Sequence, residues 1–159
     1  MKQTRTLLML FSLSFLSSCG IFGPDEIDIS GITRTFDDGT VAENDPDDWK
    51  IQGVVGAGQP FFSVKPAYPN PVSSEKKINF VFSLEVPADV QFNVVNKEGE
   101  KIQQIFSLRL ENGNHSITWD LTDSDGKKVS PGLYRVTATF VDAPKGENHL
   151  STYGDIEIE

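Results

Sequence analysis

Lys77 to Leu84 reads KINFVFSL, and every second residue in it is large and apolar: Ile78, Phe80, Phe82 and Leu84. A period of two puts those four side chains on one face of an extended chain. The pattern recurs. ADVQFNVVN, Ala88 to Asn96, lines up Val90, Phe92 and Val94. HSITWDL, His115 to Leu121, lines up Ile117, Trp119 and Leu121, and GLYRVTATFV, Gly132 to Val141, lines up Tyr134, Val136, Ala138 and Phe140. KIQQIFSLRL, Lys101 to Leu110, slips phase between Ile102 and Phe106, which predicts a bulge. A last strand is expected over Tyr153 to Glu159, with Ile156 and Ile158 inward. Turn residues separate the runs: Asn96 to Gly99, a hairpin signal at Asn112-Gly113-Asn114, and the polar loop TDSDGKKVSPG. No segment repeats at the helical period. Six or seven short strands between Phe61 and Glu159 predict an all-β chain folded as an antiparallel β-sandwich. Phe80, Phe82, Phe92 and Trp119 are its expected core, each burying on the order of 150–250 Å².

The sandwich is preceded by a proline corner, KPAYPNPVSS, Lys65 to Ser74. Pro69 and Pro71 lack backbone donors, so this piece cannot run inside a central ladder. Each X-Pro bond has only about a 5–6% chance of being cis in a folded protein, so both are expected trans. Tyr68 is expected to tuck its ring against the first edge of the core.

The chain opens MKQTRTLLMLFSLSFLSSCG. Lys2 and Arg5 precede an apolar run from Leu7 to Leu16, the layout of a secretory signal and too short for a stable membrane span. Leu16-Ser17-Ser18-Cys19 resembles a bacterial lipobox. The resemblance implies cleavage before Cys19 and a covalent lipid on its sulfur. Residues 1–18 are thus read as a lipoprotein signal peptide. Cys19 is the single cysteine, so no internal disulfide can form.

Residues 19–60 form the lipidated N-terminus and an acidic segment rich in Gly, Asp and Pro, read as an irregular tether. About 40 flexible residues span roughly 35 Å. Two pieces of it are candidates for order, Ile27 to Thr35 and Trp49 to Val55. Residues 61–159 form the sandwich. The chain carries 14 basic and 23 acidic residues, net -9. Loss of the segment holding Lys2 and Arg5 leaves 12 basic residues against the same 23 acids, net -11. Such a chain repels phosphate backbones, which argues against a nucleic-acid partner.

The ordered set AYPNPVSSEKKINFVFSL, VQFNVVNKEGEKIQ and NGNHSITWDLTDSDGKKVSPGLYRVTAT is similar to the immunoglobulin-like domain of the bacterial flagellar hook-capping protein family. It also resembles the C-terminal sorting domains of type IX secretion. The resemblance covers about Ala67 to Phe140 and implies an immunoglobulin-like sandwich of about seven strands. Tyr68, Pro69, Pro71, Trp119 and Tyr134 belong to the shared pattern, and their roles are expected to be structural.

Asp45, Asp47 and Asp48 in the tether, and Asp123 and Asp125 in the polar loop, supply hard oxygens that suit calcium. An EF-hand template fails in the loop, because Leu121 stands at its first position and Gly132 at its twelfth. The preferred reading is a solvated linker and a capped turn. His115 and His149 have no partner at metal-ligand spacing. No Gly-x-Ser-x-Gly elbow is present, and Gly53 to Gly58 lacks the spacing of a phosphate loop. A non-enzyme without cofactor beyond the lipid is therefore expected.

The function that follows is a lipid-anchored envelope protein that presents its sandwich to another envelope protein. The expected site is the outer membrane, with the periplasmic or surface face left open. One alternative is a glycan-binding module, using Trp49, Phe61, Phe62 or Tyr153 as exposed aromatics. Another is an accessory component of type IX secretion.

Overall fold

The computed structural model describes residues 26–29, 31–53, 60–142 and 149–159. Cys19 and the lipobox lie outside them. The described residues fold into nine strands and no helix. They are β1 Arg34–Thr35, β2 Val41–Glu43, β3 Phe62–Val64, β4 Ile78–Leu84, β5 Ala88–Asn96, β6 Lys101–Leu110, β7 Gly113–Trp119, β8 Gly132–Asp142 and β9 His149–Ile158.

Two antiparallel sheets make the sandwich: β3-β4-β7, and β6-β5-β8-β9. β1 and β2 pair as a separate short hairpin. The alternation of β4 points Ile78, Phe80, Phe82 and Leu84 at the other sheet, all at most 4% exposed. Ala88, Val90, Phe92 and Val94 of β5 and Val136, Ala138 and Phe140 of β8 meet them. Phe82, Phe92 and Phe140 form an edge-to-face and tilted trio with centroids 5.4–6.1 Å apart, and Phe62 stacks on Phe140 at 3.9 Å. Trp119 is buried but stands apart from this trio, with Tyr134 at 6.4 Å as its aromatic partner.

The bulge falls in β6 where the phase slips. Phe92 pairs with Phe106 and Asn93 with Gln104, so Ile105 is passed over. The turn at Asn112 to Asn114 differs from its expected role. It does not join paired neighbours; it carries the chain from β6 in one sheet to β7 in the other, where β7 pairs with β4 along its whole length. β7 also stops at Trp119, short of Leu121. Leu121 takes a left-handed backbone (φ 62°) and is fully buried, while the Trp119 indole N–H donates to the Thr122 carbonyl at 2.8 Å. The chain turns there and the Leu121 side chain still enters the core.

The proline corner corrects a second expectation. Both Tyr68-Pro69 and Asn70-Pro71 are cis. Within five residues the corner bridges three neighbours in turn: Tyr68 to Asn79, Asn70 to Thr35, and Val72 to Ile158 in parallel. Long-range pairing overrides the local trans preference. The Tyr68 ring is half-buried and lies over Gly39 of the β1–β2 turn. Gly39 has φ +83°, and a Cβ there would press on that ring at 3.3 Å.

The acidic segment is docked over residues 31–53 rather than strung out as a tether. Its Trp49 is 9% exposed and packs 6.2 Å from Phe80. Upstream, the Ile27 N–H donates to the Lys97 carbonyl in the β5–β6 turn at 2.7 Å. The Asp28 carbonyl accepts from Arg135 of β8 at 2.8 Å.

Candidate functional site

A four-stranded sheet has two free edges, and an unpaired edge is a row of backbone donors and acceptors open to another strand. The two edges of this sheet are treated differently. β9 is closed. Trp49 N–H donates to the Tyr153 carbonyl at 2.5 Å, and Gln52 and Ser151 exchange bonds of 2.6 and 2.9 Å. Farther along, Val72 N–H donates to Glu157 O and Glu159 N–H to Val72 O, at 2.8 and 2.9 Å. Between these two groups sit side chains that act as backbone mimics. Asp48 accepts the Asp155 N–H on Oδ1 at 2.8 Å and the Thr33 N–H on Oδ2 at 2.7 Å. Asn70 donates to the Thr33 and Asp155 carbonyls and accepts the Glu157 N–H, at 2.7, 3.0 and 3.0 Å.

Behind this clamp lies a cleft of about 450 Å³ whose lining includes Asp28, Asp45, Asp47, Asp48, Arg135 and Asp155. Arg135 grips Asp155 through two bonds of 2.7 Å and lies 4.1 Å over the Tyr153 ring. Burial raises the Asp155 carboxyl above its ordinary value even though Arg135 pulls it down. Burial also raises Asp48, against the two backbone N–H groups that favour its charged form. The bond to Asp155 raises Arg135 further. Asp48, and Arg135 through the Asp28 carbonyl, tie the arm to the larger sheet.

β6 is the open edge. Its first residues are covered by the polar loop, where Ser124 N–H donates to Ile102 O at 3.2 Å and Gln103 Nε2 to Asp123 O at 3.1 Å. Beyond the bulge nothing among the described residues pairs with its outer side. Ser107, Leu108 and Arg109 are all exposed. Leu108, at 63%, is the most exposed large apolar residue described. It sits opposite Val90, on the core side of the sheet, yet projects past the cover of the smaller sheet. A groove of about 350 Å³ runs beside it, between Gln91, Arg109 and Thr139.

The expected site residues fall into place around these edges. Asp45 Oδ1 accepts the Asp47 N–H at 2.8 Å, and Asp47 pairs with Lys50 at 3.1 Å. Asp123 Oδ1 caps its own turn by accepting the Asp125 and Lys127 N–H groups, both at 2.9 Å. Among the described residues no three His, Cys, Asp or Glu gather as metal ligands. Trp49, Phe61 and Phe62 are buried, at 9%, 9% and 3%, and cannot serve as an exposed aromatic platform. The reason is that the arm and β3 both cover the core. Tyr153 is half-buried beneath Arg135. The sequence marks neither the open β6 edge nor Asn70 as a site, and it marks Asp48 only as a calcium candidate, not as a clamp. The only sequence signal for the edge was the loss of alternation after Ile102.

Residues 69–143 match the FlgD Ig-like domain family. This segment is just under half of the chain and runs from Pro69 to just past the end of β8. It includes the β6 edge, while β9 and the docked arm lie outside it. FlgD of P. aeruginosa is similar at 26% identity over 53% of this chain and 64% of its own, with a TM-score of 0.43. FlgD of Xanthomonas campestris, described in connection with the hook capping essential for flagellar assembly, is 24% identical over 60% of this chain and 67% of its own, TM-score 0.46. Latent dimeric PorU of Porphyromonas gingivalis shares the fold at TM-score 0.51 and 18% identity, over 66% of this chain and 10% of PorU. The chain therefore spans only part of the length of these proteins. No curated protein sequence matches it. The matched segment holds β4 to β8, and the arm and β9 are built onto its β8 side.

Proposed function

We propose that this protein is a non-enzymatic component of the bacterial envelope, anchored by lipid on Cys19, that takes up a strand of another envelope protein along β6. The observation that carries the reading is the contrast between the two edges. The arm saturates β9 with backbone and side-chain bonds, while β6 offers an uncovered edge beyond its bulge with Leu108 projecting from it. Strand addition uses such an edge for main-chain bonds and its flanking side chains for specificity. The FlgD-type fold supports an interaction role, and the Leu-Ser-Ser-Cys sequence supports the anchor. The glycan alternative loses its platform with the burial of Trp49, Phe61 and Phe62.

The test is a photo-crosslinking amino acid placed at Leu108 in cells, with Asp125 in the exposed loop as the control position. Position 108 is expected to trap a discrete envelope protein and position 125 none. Equal trapping at both, or none at 108, removes the reading. The anchor is tested separately: Cys19→Ala is expected to move the protein from the membrane fraction to the soluble fraction.

A further inference from the structure

We propose that Asn112 is a site of spontaneous modification, where the folded chain slowly converts its own side-chain amide to a carboxylate at the crossing from β6 to β7. This goes beyond the docking reading and stands without it.

Asn112-Gly113 is the single Asn-Gly pair in the chain. The turn around it hands the chain from the larger sheet to the smaller one. Gly113 takes φ +133°, a backbone that a side chain at this position would strain. The crossing therefore needs glycine after Asn112, and glycine leaves the following backbone nitrogen unshielded. Chain neighbours apart, no described atom lies within 4 Å of where a Cβ on Gly113 would stand.

The amide is equally free. Asn112 and Gly113 are both exposed. The amides of Asn70, Asn79 and Asn96 are held by the Thr33 carbonyl, the Tyr68 carbonyl and the Glu100 carboxylate. That of Asn112 has no such partner among the described residues. Gly113 is also the end rung of its ladder, opposite Leu84. End rungs open at little cost, which releases the Gly113 N–H from the sheet.

The chemistry closes on these two residues and water. The Gly113 nitrogen, its proton lost to solvent base, attacks Asn112 Cγ. The N–Cγ bond forms, the Cγ–Nδ2 bond breaks, and Nδ2 takes up a proton and leaves as ammonia. The product is a five-membered succinimide, and water opens it at either carbonyl. One opening gives aspartate at 112. The other gives isoaspartate, whose main chain runs through the former side chain and is one carbon longer. Nothing is oxidised or reduced. Either product adds a negative charge next to Glu111, just past the end of β6. Isoaspartate also shifts the chain immediately before the Gly113–Leu84 pair, where β7 takes its register on β4. His115 bonds the Glu111 carbonyl across the same turn at 2.9 Å and would feel that shift.

The test is to hold the folded full chain at mildly alkaline pH and follow it by peptide mass, with the position fixed by fragmentation. Position 112 is expected to gain the mass of an amide turned acid and to resolve into aspartate and isoaspartate forms. It should do so several times faster than Asn114, which is exposed in the same turn but is followed by histidine. Equal rates at the two positions overturn the proposal. The same chain in urea sets the unhindered rate. A folded rate more than about tenfold below it would show that the Leu84 rung keeps the Gly113 N–H closed, and would overturn it too. Asn112→Gln removes no hydrogen bond and should fold as the wild type does, yet its longer side chain cannot close the five-membered ring. Loss of the slow charge change in this variant is expected, and its persistence would place the reaction elsewhere. In the isoaspartate fraction, amide exchange at Asn114 and His115 should be faster than in fresh protein; equal exchange would remove the effect on β7.

Discussion

Asp48 does at residue scale what a strand would do at element scale. Its two oxygens accept one N–H from the arm and one from β9, Thr33 and Asp155, so one carboxylate staples 107 positions of chain separation. That placement has a pH signature. Burial raises the folded-state Asp48 above the ordinary value of 3.8. Between 3.8 and that raised value the folded protein holds a proton the unfolded chain has released. The contribution of this group to stability is thus greatest at low pH and falls as pH rises through the window. Asp48→Asn should be less stable than wild type at every pH, since its amide presents an N–H where an acceptor is needed. The deficit should be largest below the window and shrink above it. Urea midpoints measured from about pH 3 to about pH 7 read this out, and parallel curves would contradict it. Asn70 is the companion residue. Its amide both donates and accepts, which lets it stand in for backbone on two sides of the corner. Neither role was legible in sequence. An Asp in an acidic run and an Asn between prolines both read as solvated loop, because their partners on β9 are supplied by chain 85 to 107 positions away.

At the scale of elements, legibility followed burial on two counts. β4 and β5 announced themselves because one face of each is wholly buried, and their alternation is unbroken from Ile78 to Leu84 and from Ala88 to Val94. β6 is half in water, so its apolar residues obey no single phase, and only the bulge could be read. β9 was expected to begin at Tyr153, yet it begins at His149, because β8 pairs with it out to Val141 and the arm adds an edge partner at Ser151. Gly154 marks where arm and strand touch. A Cβ on it would overlap the Trp49 indole ring, so glycine is required there by contact rather than by backbone angle. Gly154→Ala should drive Trp49 out of its seat. We expect a loss of about 1–3 kcal/mol in unfolding free energy and a red-shifted tryptophan emission from the freed ring. An unchanged spectrum would mean that Trp49 does not lie on β9 in solution.

The whole molecule is an acidic body wrapped on a phenylalanine core. Its net charge of -9 acts against compactness by self-repulsion, and salt screens that repulsion with a Debye length of about 10 Å at 0.1 M. Raising sodium chloride from about 0.05 to about 0.5 M should therefore raise the thermal midpoint by a few degrees, read by circular dichroism. A falling midpoint would show that attractive pairs such as Lys76 with Asp37 outweigh the repulsion.

The docked arm also shortens the leash. With residues from Glu26 held beside the β5–β6 turn, only seven links separate Cys19 from the folded body, a reach of at most about 25 Å. On the anchoring proposed above, the domain hangs close to the bilayer with its β5–β6 turn toward the lipid, rather than ranging freely at the end of a long cord.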